Sequence, residues 1–388
     1  MEEIDIELDL TKELTSIGTH IKIIGVGGAG GNAINTMIEN SLEGVEFIAA
    51  NTNIIDLKKS KARLKLQLGK ETTKGLGTGA HPELGRQSAE ESREDIKHHL
   101  EGADMVFIVA GMGGGTGTGA APIIASMAKE MGILTIGIVN RPFNWEGKKR
   151  RMNAQDGIKQ LAENVDSLIV IPNEKIKEQY SDLTVIQAFK KADNILYDAA
   201  KALSDIINFS GYISVDFADV KTVMSNKGFA MIGTGIGEGE NRAVDAAKAA
   251  MSNPLLSDVS LKNSQGILIN ITASEAVKMD EFEQIFNNII KETGDQGDII
   301  NGIIFDEKME EKIKVTLIAT GLKMTNTKVY EIENFKKKSE DSSEELNDIL
   351  ERIRNPRTND IEKQQQESKQ QQIKPKMDIP AFMRKFSN

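Results

Sequence analysis

Between residues 20 and 172, five short and almost uninterrupted apolar runs alternate with helical stretches, and this alternation restricts the fold more than any other feature. The runs read HIKIIGV, VEFIAAN, MVFIVAG, ILTIGIVN and SLIVIP. Strands that are apolar throughout are typical of a parallel sheet whose two faces are both covered by helices. We therefore predict an α/β unit in which ligands bind at the carboxyl ends of the strands.

The loop after the first run has the spacing G-x-G-x-x-G at Gly25, Gly27 and Gly30 and precedes a helical stretch. Glycines at such a turn let the backbone approach a phosphate, and the helix N-terminus supplies free N–H groups. A dinucleotide enzyme also needs an acid at the end of the second strand to hold the ribose. The second run ends in NTN (residues 51–53) instead, which disfavours a nicotinamide cofactor.

The loop after the third run, AGMGGGTGTGA, holds five glycines in the seven residues from Gly113 to Gly119. Such a stretch costs conformational entropy, which is offset when a polyanion fills the backbone concavity. A third glycine-rich stretch runs from Thr73 to Pro82. Three such loops on one sheet predict a ligand with several phosphates. Since no G-x-x-x-x-G-K-[ST] sequence occurs, the chain is not a P-loop protein.

Beyond residue 182 the pattern changes to a long helix and then to a smaller α/β unit with four strand candidates, which begin FAMIG, GILIN, IINGI and KVTLI. From residue 331 the chain is rich in Lys, Glu, Ser, Asn and Gln, a composition typical of disorder. The predicted divisions are an N-terminal extension (1–19), a ligand-binding domain (20–182), a central helix (183–207), a second domain (208–330), a disordered linker (331–377) and a tail peptide (378–388).

The tail peptide restores apolar and basic character after the polar linker, which favours a partner-binding segment over a frayed terminus. Its candidate residues are Asp378, Ile379, Pro380, Ala381, Phe382, Met383 and Arg384.

Composition excludes several classes of site. The chain has no Cys, so disulfides, Cys–zinc sites and thiol nucleophiles are absent, and its four His lack metal-ligand spacing. The net charge of −10 argues against a nucleic-acid scaffold. Because no apolar run approaches the roughly 20 residues of a membrane span, we expect a cytoplasmic protein that does not insert directly into membranes.

At GGGTGTG the chain resembles the tubulin/FtsZ family of GTPases, whose phosphate loop carries this heptapeptide. GVGGAGGNAIN, TKGLGTGA, RPFNWEGKKR, FKKADN, VDFADV and the terminal DIPAFMR also match in the family's order, and they narrow the resemblance to its bacterial cell-division members. The match covers about residues 20–320 and the tail. It implies a Rossmann-like GTPase domain, hydrolysis of GTP to GDP and phosphate, and head-to-tail filaments of the division ring at midcell.

The resemblance also implies the nucleotide contacts, position by position. Phe189 would stack on guanine and Asp193 would accept its hydrogen bonds, which selects GTP because a carboxylate can accept from N1–H and N2–H₂ of guanine, whereas adenine has no donor at N1. Mg²⁺ would be held mainly through phosphates and water, with no protein metal site. The expected GTP-binding residues are Gly27, Gly28, Ala29, Gly30, Gly31, Asn32, Gly113, Gly114, Gly115, Thr116, Gly117, Thr118, Gly119, Glu146, Arg150, Phe189 and Asp193.

Asp216 and Asp219 are the candidate catalytic acids. Their spacing alone favours an ordinary helix N-cap. The resemblance implies instead that they enter the nucleotide site of the next subunit and orient the attacking water, so that polymerisation is the condition for hydrolysis.

Two positions depart from the family's pattern: Asn53 stands where an acid is usual and Ser214 where an amide is usual. They motivate an alternative function, a filament protein that binds GTP but hydrolyses it weakly. A third hypothesis, a monomeric Rossmann-type oxidoreductase, has only the first glycine loop in its favour. The expected partners are other copies of the chain and, through the tail, division proteins such as a membrane tether, but not nucleic acid.

Overall fold

The computed structural model of the chain describes residues 18–180, 182–208, 212–213, 215–226, 228–252, 261–262, 264–294 and 297–322. Six of its strands form a parallel sheet in the order β3-β2-β1-β4-β5-β6. Their bounds are β1 Ile21–Val26, β2 Val45–Asn51, β3 Leu64–Gln67, β4 Met105–Gly111, β5 Leu134–Arg141 and β6 Ser167–Pro172. Five of the six correspond to the predicted apolar runs, which confirms the predicted fold class.

The strand β3 was not predicted. Its sequence LKLQ has four residues and alternates leucine with polar residues, so it lacks the continuous apolar run of a strand that is buried on both faces. Its place at the edge of the sheet explains this pattern, because β3 pairs with β2 on one side.

Helices cover both faces of the parallel sheet, as expected. One buried cluster includes Ile34 and Leu203 from one face, and a second includes Ile96 and Ile124 from the other. The helices of this part are α1 Gly27–Glu39, α2 Ile54–Lys59, α3 Lys70–Thr73, α4 Pro82–Glu91, α5 Arg93–Leu100, α6 Thr116–Glu130, α7 Lys148–Asn164, α8 Asn173–Gln179 and α9 Val185–Asn208.

The helix α9 is the predicted central helix. Its 24 residues span about 36 Å at 1.5 Å per residue. At its end the Asn208 side chain donates a 3.4 Å hydrogen bond to the Gly44 carbonyl, just before β2 begins. Since β2 runs parallel to its neighbours, α9 ends at the amino-terminal edge of the parallel strands.

The rest of the described chain forms the predicted smaller α/β part, with strands in the order β7-β10-β8-β9. The pairing of β7 with β6, through Ser167↔Gly228 and Leu168↔Phe229, joins both parts into one ten-stranded sheet, a link that was not predicted. The elements are α10 Phe217–Met224, β7 Gly228–Gly237, α11 Arg242–Met251, β8 Gly266–Ala273, α12 Met279–Thr293, β9 Asp298–Phe305 and β10 Ile313–Leu322.

None of the helices in the described part of the chain is long and apolar enough to cross a membrane. The predicted linker and tail peptide, residues 331–388, lie outside the described residues.

Candidate functional site

The carboxyl ends of β1, β2 and β4, three neighbouring strands, bring the three glycine-rich loops to one edge of the sheet. The first loop leads from β1 into α1, and the second leads from β4 into α6. The third is tied to the end of β2 by the bridge between Asn53 and Leu76 and by a 3.1 Å bond from the Ile54 amide to the Gly75 carbonyl. We call these residues (25–32, 51–53, 73–82 and 113–119) the loop edge.

The glycines of the first loop serve different purposes. A Cβ on Gly25 would lie 2.5 Å from the Gly30 carbonyl oxygen, so this pair lets α1 pack closely on β1. Gly27 has a φ of +75°, and a Cβ there would lie 2.9 Å from the Gly117 amide nitrogen of the second loop. Gly28 and Gly31 face open space. The predicted residues that form an open rim at the start of α1 are Gly28, Ala29, Gly31 and Asn32.

The second loop is packed so closely that most of its glycines have no room for a side chain. Gly113 has a φ of +107°, and its amide donates a 2.9 Å hydrogen bond to the Thr118 hydroxyl. A Cβ on Gly115 would collide with the Thr78 hydroxyl and would lie 2.9 Å from the His81 amide nitrogen. Gly114, by contrast, faces open space. The loop therefore exposes its backbone at one point and is fixed on either side of it.

The start of α6 adds an electrostatic reason for an anion to bind here. Gly115 is its N-cap and has no side chain with which to cap the first N–H groups. Those groups have no acceptor within the helix, and they form the positive end of its dipole. Phosphate oxygens are suitable acceptors for them.

Two predicted contacts of this loop lie deeper than the others. Thr118 is 2 % exposed and its hydroxyl is engaged by the Gly113 amide, whereas Gly119 packs against the Pro82 carbonyl at the start of α4. Both stabilise the loop in this structure, and their contact with a nucleotide stays a prediction.

Three threonine hydroxyls connect the loops beneath the surface. The Thr116 hydroxyl lies 2.6 Å from that of Thr52 and 3.3 Å from that of Thr78. All three residues are buried. Thr116 belongs to the second loop, Thr52 follows β2 and Thr78 belongs to the third loop. Thr52 and Thr78 belong to recognisable motifs, but nothing in a linear sequence shows that residues 64 and 38 positions from Thr116 meet it.

Glu146 and Arg150 lie beside the second loop. The Glu146 carboxylate accepts from the Phe143 amide at 2.9 Å and from the Arg150 guanidinium at 2.7 Å. A Cβ on Gly113 would lie 2.7 Å from the Arg150 carbonyl, so the start of α7 packs directly on the loop. The structure thus brings this predicted pair to the loop edge, with Arg150 half exposed.

Phe189 belongs to an aromatic cluster that joins α9 to the same region. Its ring lies edge-on to Phe143, with centroids 5.4 Å apart, and 6.1 Å from Trp145. Trp145 is 58 % exposed and stacks on Phe143 at 5.5 Å. The motif RPFNWEGKKR contains both Phe143 and Trp145, whereas the predicted contacts from this motif are Glu146 and Arg150. The exposure of Trp145 and its proximity to Phe189 are visible only in the structure.

Asp193 lies one helical turn after Phe189 on α9. Among the described residues its carboxylate has no hydrogen-bond or ion-pair partner. Burial without a partner raises the pKa of Asp193 to about 7. A group in this state would gain from donors that arrive with a ligand.

The acid pair, Asp216 and Asp219, caps α10 in the manner that the spacing predicts. The Asp219 amide donates to the Asp216 carboxylate at 2.8 Å, and the Asp216 amide donates to the Asp219 carboxylate at 3.3 Å. Met224, at the other end of α10, accepts from the hydroxyl of Ser167 at the start of β6. None of the hydrogen bonds or ion pairs of the described residues connects either acid to the loop edge. The structure does not bring these predicted residues together with the others.

The remaining predictions concern the metal and the two positions that depart from the family's pattern, Asn53 and Ser214. The Asn53 side-chain oxygen Oδ1 caps α2 by accepting from the Ile55 amide at 2.9 Å and from the Asp56 amide at 3.3 Å, so Asn53 fulfils a structural role. Ser214 and the tail residues 378–384 lie outside the described residues. Within the described part of the chain, no group of three His, Asp or Glu side chains could hold a metal ion.

Comparisons with protein families match both parts of the chain. Residues 20–181 match the model described as "Tubulin/FtsZ family, GTPase domain", and residues 228–323 match "FtsZ family, C-terminal domain". Among curated proteins, the cell division protein FtsZ of Pseudomonas aeruginosa is 55 % identical over 303 residues, which cover 78 % of this chain and 77 % of that protein. The FtsZ of Buchnera aphidicola subsp. Schizaphis graminum is 46 % identical over 376 residues, or 95 % of this chain and 97 % of that protein.

Solved structures agree. An empty FtsZ dimer of M. jannaschii superposes with a TM-score of 0.74 at 39 % identity and covers 82 % of this chain and 96 % of that one. The CetZ2 protein of Haloferax volcanii, described as a GTPγS-bound protofilament, has a TM-score of 0.70 at 21 % identity, with coverage of 84 % and 100 %. This second likeness shows the fold alone.

Proposed function

This chain belongs to the tubulin/FtsZ family of GTPases and is an FtsZ-like cell-division GTPase, and from that premise we propose that it hydrolyses GTP at a site shared by two adjacent copies in a head-to-tail filament. The loop edge of one copy holds the nucleotide, and the acid pair of the next copy supplies the carboxylates that orient the attacking water. This proposal assigns Asp216 and Asp219 to catalysis and removes the oxidoreductase hypothesis.

The observation that carries the proposal is the separation of the two halves of the site within one copy. Asp193 and Asn208 are 15 residues apart on α9, or about 22 Å along its axis. Asn208 lies at the amino-terminal ends of the parallel strands, whereas the loops lie at the carboxyl ends. The acid pair follows Asn208 along the chain. A surface that meets a different surface of its neighbour generates a filament when the rotation does not close.

The nucleotide contacts follow from the loop edge. The β- and γ-phosphates occupy the concavity at Gly114, where the backbone is open and the N-terminus of α6 supplies N–H groups. The guanine lies against Phe189, and Asp193 accepts from N1–H and N2–H₂, which provides the partners that this half-buried carboxylate lacks. Phosphoryl transfer needs mainly positioning and charge stabilisation, and the two copies together provide both.

Mg²⁺ fits this site as an ion that is bound through the phosphates of the nucleotide. The loop edge offers hydroxyl and amide oxygens but no cluster of carboxylates among the described residues. When bound, the ion neutralises charge on the phosphates. Its ligands would be phosphate oxygens and water.

The filament is proposed to act in the cytoplasm, at the division ring at midcell. Residues 378–384 are proposed to bind division partners such as a membrane tether, and many copies along one filament would give avidity from individually weak contacts.

A mixing experiment tests the shared site. Asp219→Ala keeps the loop edge intact, and Asp193→Ala keeps the acid pair intact. Each variant alone is expected to turn over GTP slowly. In an equal mixture, about a quarter of the contacts join a nucleotide site with an intact Asp193 to an intact acid pair, so about a quarter of the wild-type activity should return.

Two measurements complete the test. Turnover per molecule of the wild type should rise steeply above a threshold concentration at which sedimentation detects filaments. If dilute, unassembled protein turns over GTP at the same rate per molecule, or if the mixture stays as slow as its components, the shared site is wrong.

A further inference from the structure

The edge strand β3 and the segment before it form the most basic stretch of an acidic chain. Between Leu57 and Lys70 there are six cationic residues and no Asp or Glu, although the net charge of the whole chain is −10. Acids balance three of them: Lys59 with Asp56, Lys61 with Glu39 and Lys70 with Asp95. The cations without an ion-pair partner among the described residues are Lys58, Arg63 and Lys65.

A groove of about 480 Å³ runs beside this edge, between α2 and α5. Its apolar lining residues are Ile54, Leu57 and Leu66. Its polar lining residues are Lys58, Lys65, Gln67, Lys70, Asp95 and His99, and Asp95 is paired with Lys70. Since β3 pairs only with β2 in the described part of the chain, its other side is open to a further strand. By contrast, β9 at the opposite edge of the sheet is partly covered through the bridge of Ile303 to Ile213. An open edge attracts unwanted pairing, and proteins commonly cover it.

The two faces of β3 differ in a way that specifies an occupant. Leu64 and Leu66 point to the cluster that contains Ile96 and Leu100 of α5. Lys65 points to the other face, where its ammonium donates to the Lys58 carbonyl at 3.1 Å. Side chains of adjacent strands meet on the same face. A matching strand therefore alternates apolar residues, for the leucine face, with acids, for the lysine face.

The chain contains such a sequence, and it is not part of the nucleotide site. Residues 3–10 read EIDIELDL, with an acid at every odd position and Ile or Leu at every even one. A period of two is the pattern of a strand with one apolar face. These residues lie outside the described part of the chain.

We propose that residues 3–10 of the chain dock antiparallel on the open edge of β3, with their apolar side chains beside Leu64 and Leu66 and their acids beside Lys58 and Lys65. Only one of the two alternating registers satisfies both faces, since a slip of one residue would place acids on the leucine face.

The connecting chain is long enough. A strand beyond β3 lies three strand spacings from β1, or about 14 Å. Leu64 pairs with Ile48 of β2, and Ile48 pairs with Ile24 of β1, so Leu64 and Ile24 lie at the same height along the strands. The distance from Gly18 to Ile24 along the strand direction is about 20 Å at 3.3 Å per residue. The direct distance is then about 24 Å, whereas the eight residue steps from Leu10 to Gly18 extend to about 28 Å. A strand that pairs antiparallel with β3 has its C-terminal end next to Leu64. The antiparallel orientation therefore needs a shorter connection to Gly18 than the parallel orientation does.

Hydrogen exchange of the full-length, GDP-bound, unassembled protein tests the docking without reference to GTP hydrolysis. The amides of residues 64–67 are expected to exchange at least about tenfold more slowly in the wild type than in a chain that lacks residues 3–10. Lys65→Glu and Asp9→Lys should each lose this protection, and the double variant should recover it because the charges are exchanged. Lys59→Glu is the matched control, since Lys59 does not line the groove, and it should leave the protection unchanged.

Each outcome decides the proposal. Equal exchange in the wild type and in the truncated chain overturns it, as does a double variant that recovers no protection. Protection that disappears on dilution shows that a second copy supplies the strand, and this overturns the assignment to the same chain.

Discussion

The loop edge and the acid pair are both polar surfaces, but they are built in opposite ways. The loop edge is fixed from within: its glycines touch other backbone segments, and its threonine hydroxyls bond to each other below the surface. The acid pair lies on the surface, and each carboxylate caps the other residue's amide. One half of the proposed site therefore depends on the fold around it, whereas the other half depends on little beyond one helix start. Substitutions should reduce stability and function together at the loop edge, but separate them at the acid pair.

The largest effect is expected at the acid pair, on turnover alone. Asp219→Asn keeps an oxygen that can accept from the Asp216 amide but removes the charge. We expect GTP turnover by assembled protein to fall on the order of 10²-fold, while the free energy of unfolding changes by less than about 1 kcal/mol. GTP affinity of the unassembled chain, measured by equilibrium dialysis, should stay at the wild-type value. A parallel loss of affinity would place Asp219 in its own copy's nucleotide site.

The opposite behaviour is expected for Gly115→Ala in the second loop. Its Cβ would collide with the Thr78 hydroxyl and approach the His81 amide, so stability should fall by about 1–3 kcal/mol, as in other overpacked sites. GTP affinity should fall with it, because the displaced backbone belongs to the proposed phosphate site. The neighbour Gly114→Ala is the control, since it faces open space. Urea unfolding should show no loss of stability for the control, and an equal loss for both would mean that packing does not fix this loop.

The pH dependence of GTP affinity tests Asp193. In the free protein its pKa is raised to about 7 by burial. Two N–H donors of guanine favour the ionised form, so binding lowers this pKa. Affinity should therefore rise with pH up to about 7 and level off above it, and it should fall about tenfold between pH 8 and pH 6 because the carboxyl group must lose its proton to bind.

The matched variant for this test is Asp193→Asn, which cannot ionise. The terminal phosphate of GTP itself titrates at a pKa of about 6, so the difference between wild type and variant is the informative quantity. Isothermal titration calorimetry in two buffers should also detect proton release on binding near pH 7 by the wild type only. Identical pH profiles would remove Asp193 from guanine recognition.

The same contrast explains what could be predicted from the sequence. The parallel sheet was predictable because buried strands such as β4 are apolar at every position, and the acid cap was predictable because Asp216 and Asp219 are local in sequence. The strand β3 was not, since an edge strand of four residues shows no such run. The Thr52–Thr116 contact and the join between β6 and β7 were not either, because both depend on residues that are distant along the chain. The contact between Trp145 and Phe189 was not predictable for the same reason, because the two residues lie on different elements.

The smallest effect concerns the hydroxyl of Thr52, a residue of the loop edge that is fully buried. Thr52→Val keeps the shape of the side chain but leaves the Thr116 hydroxyl without its 2.6 Å partner, at an expected cost of about 1 kcal/mol. Because Thr116 begins α6 at the proposed phosphate site, GTP affinity should fall about fivefold, and Thr52→Ser should restore most of it. Thr135→Val removes a comparable buried hydroxyl, which donates to the Ile133 carbonyl at 2.9 Å and lies at the start of β5. This control should lose similar stability but keep its affinity, which distinguishes a specific link to the phosphate loop from general loosening of the fold.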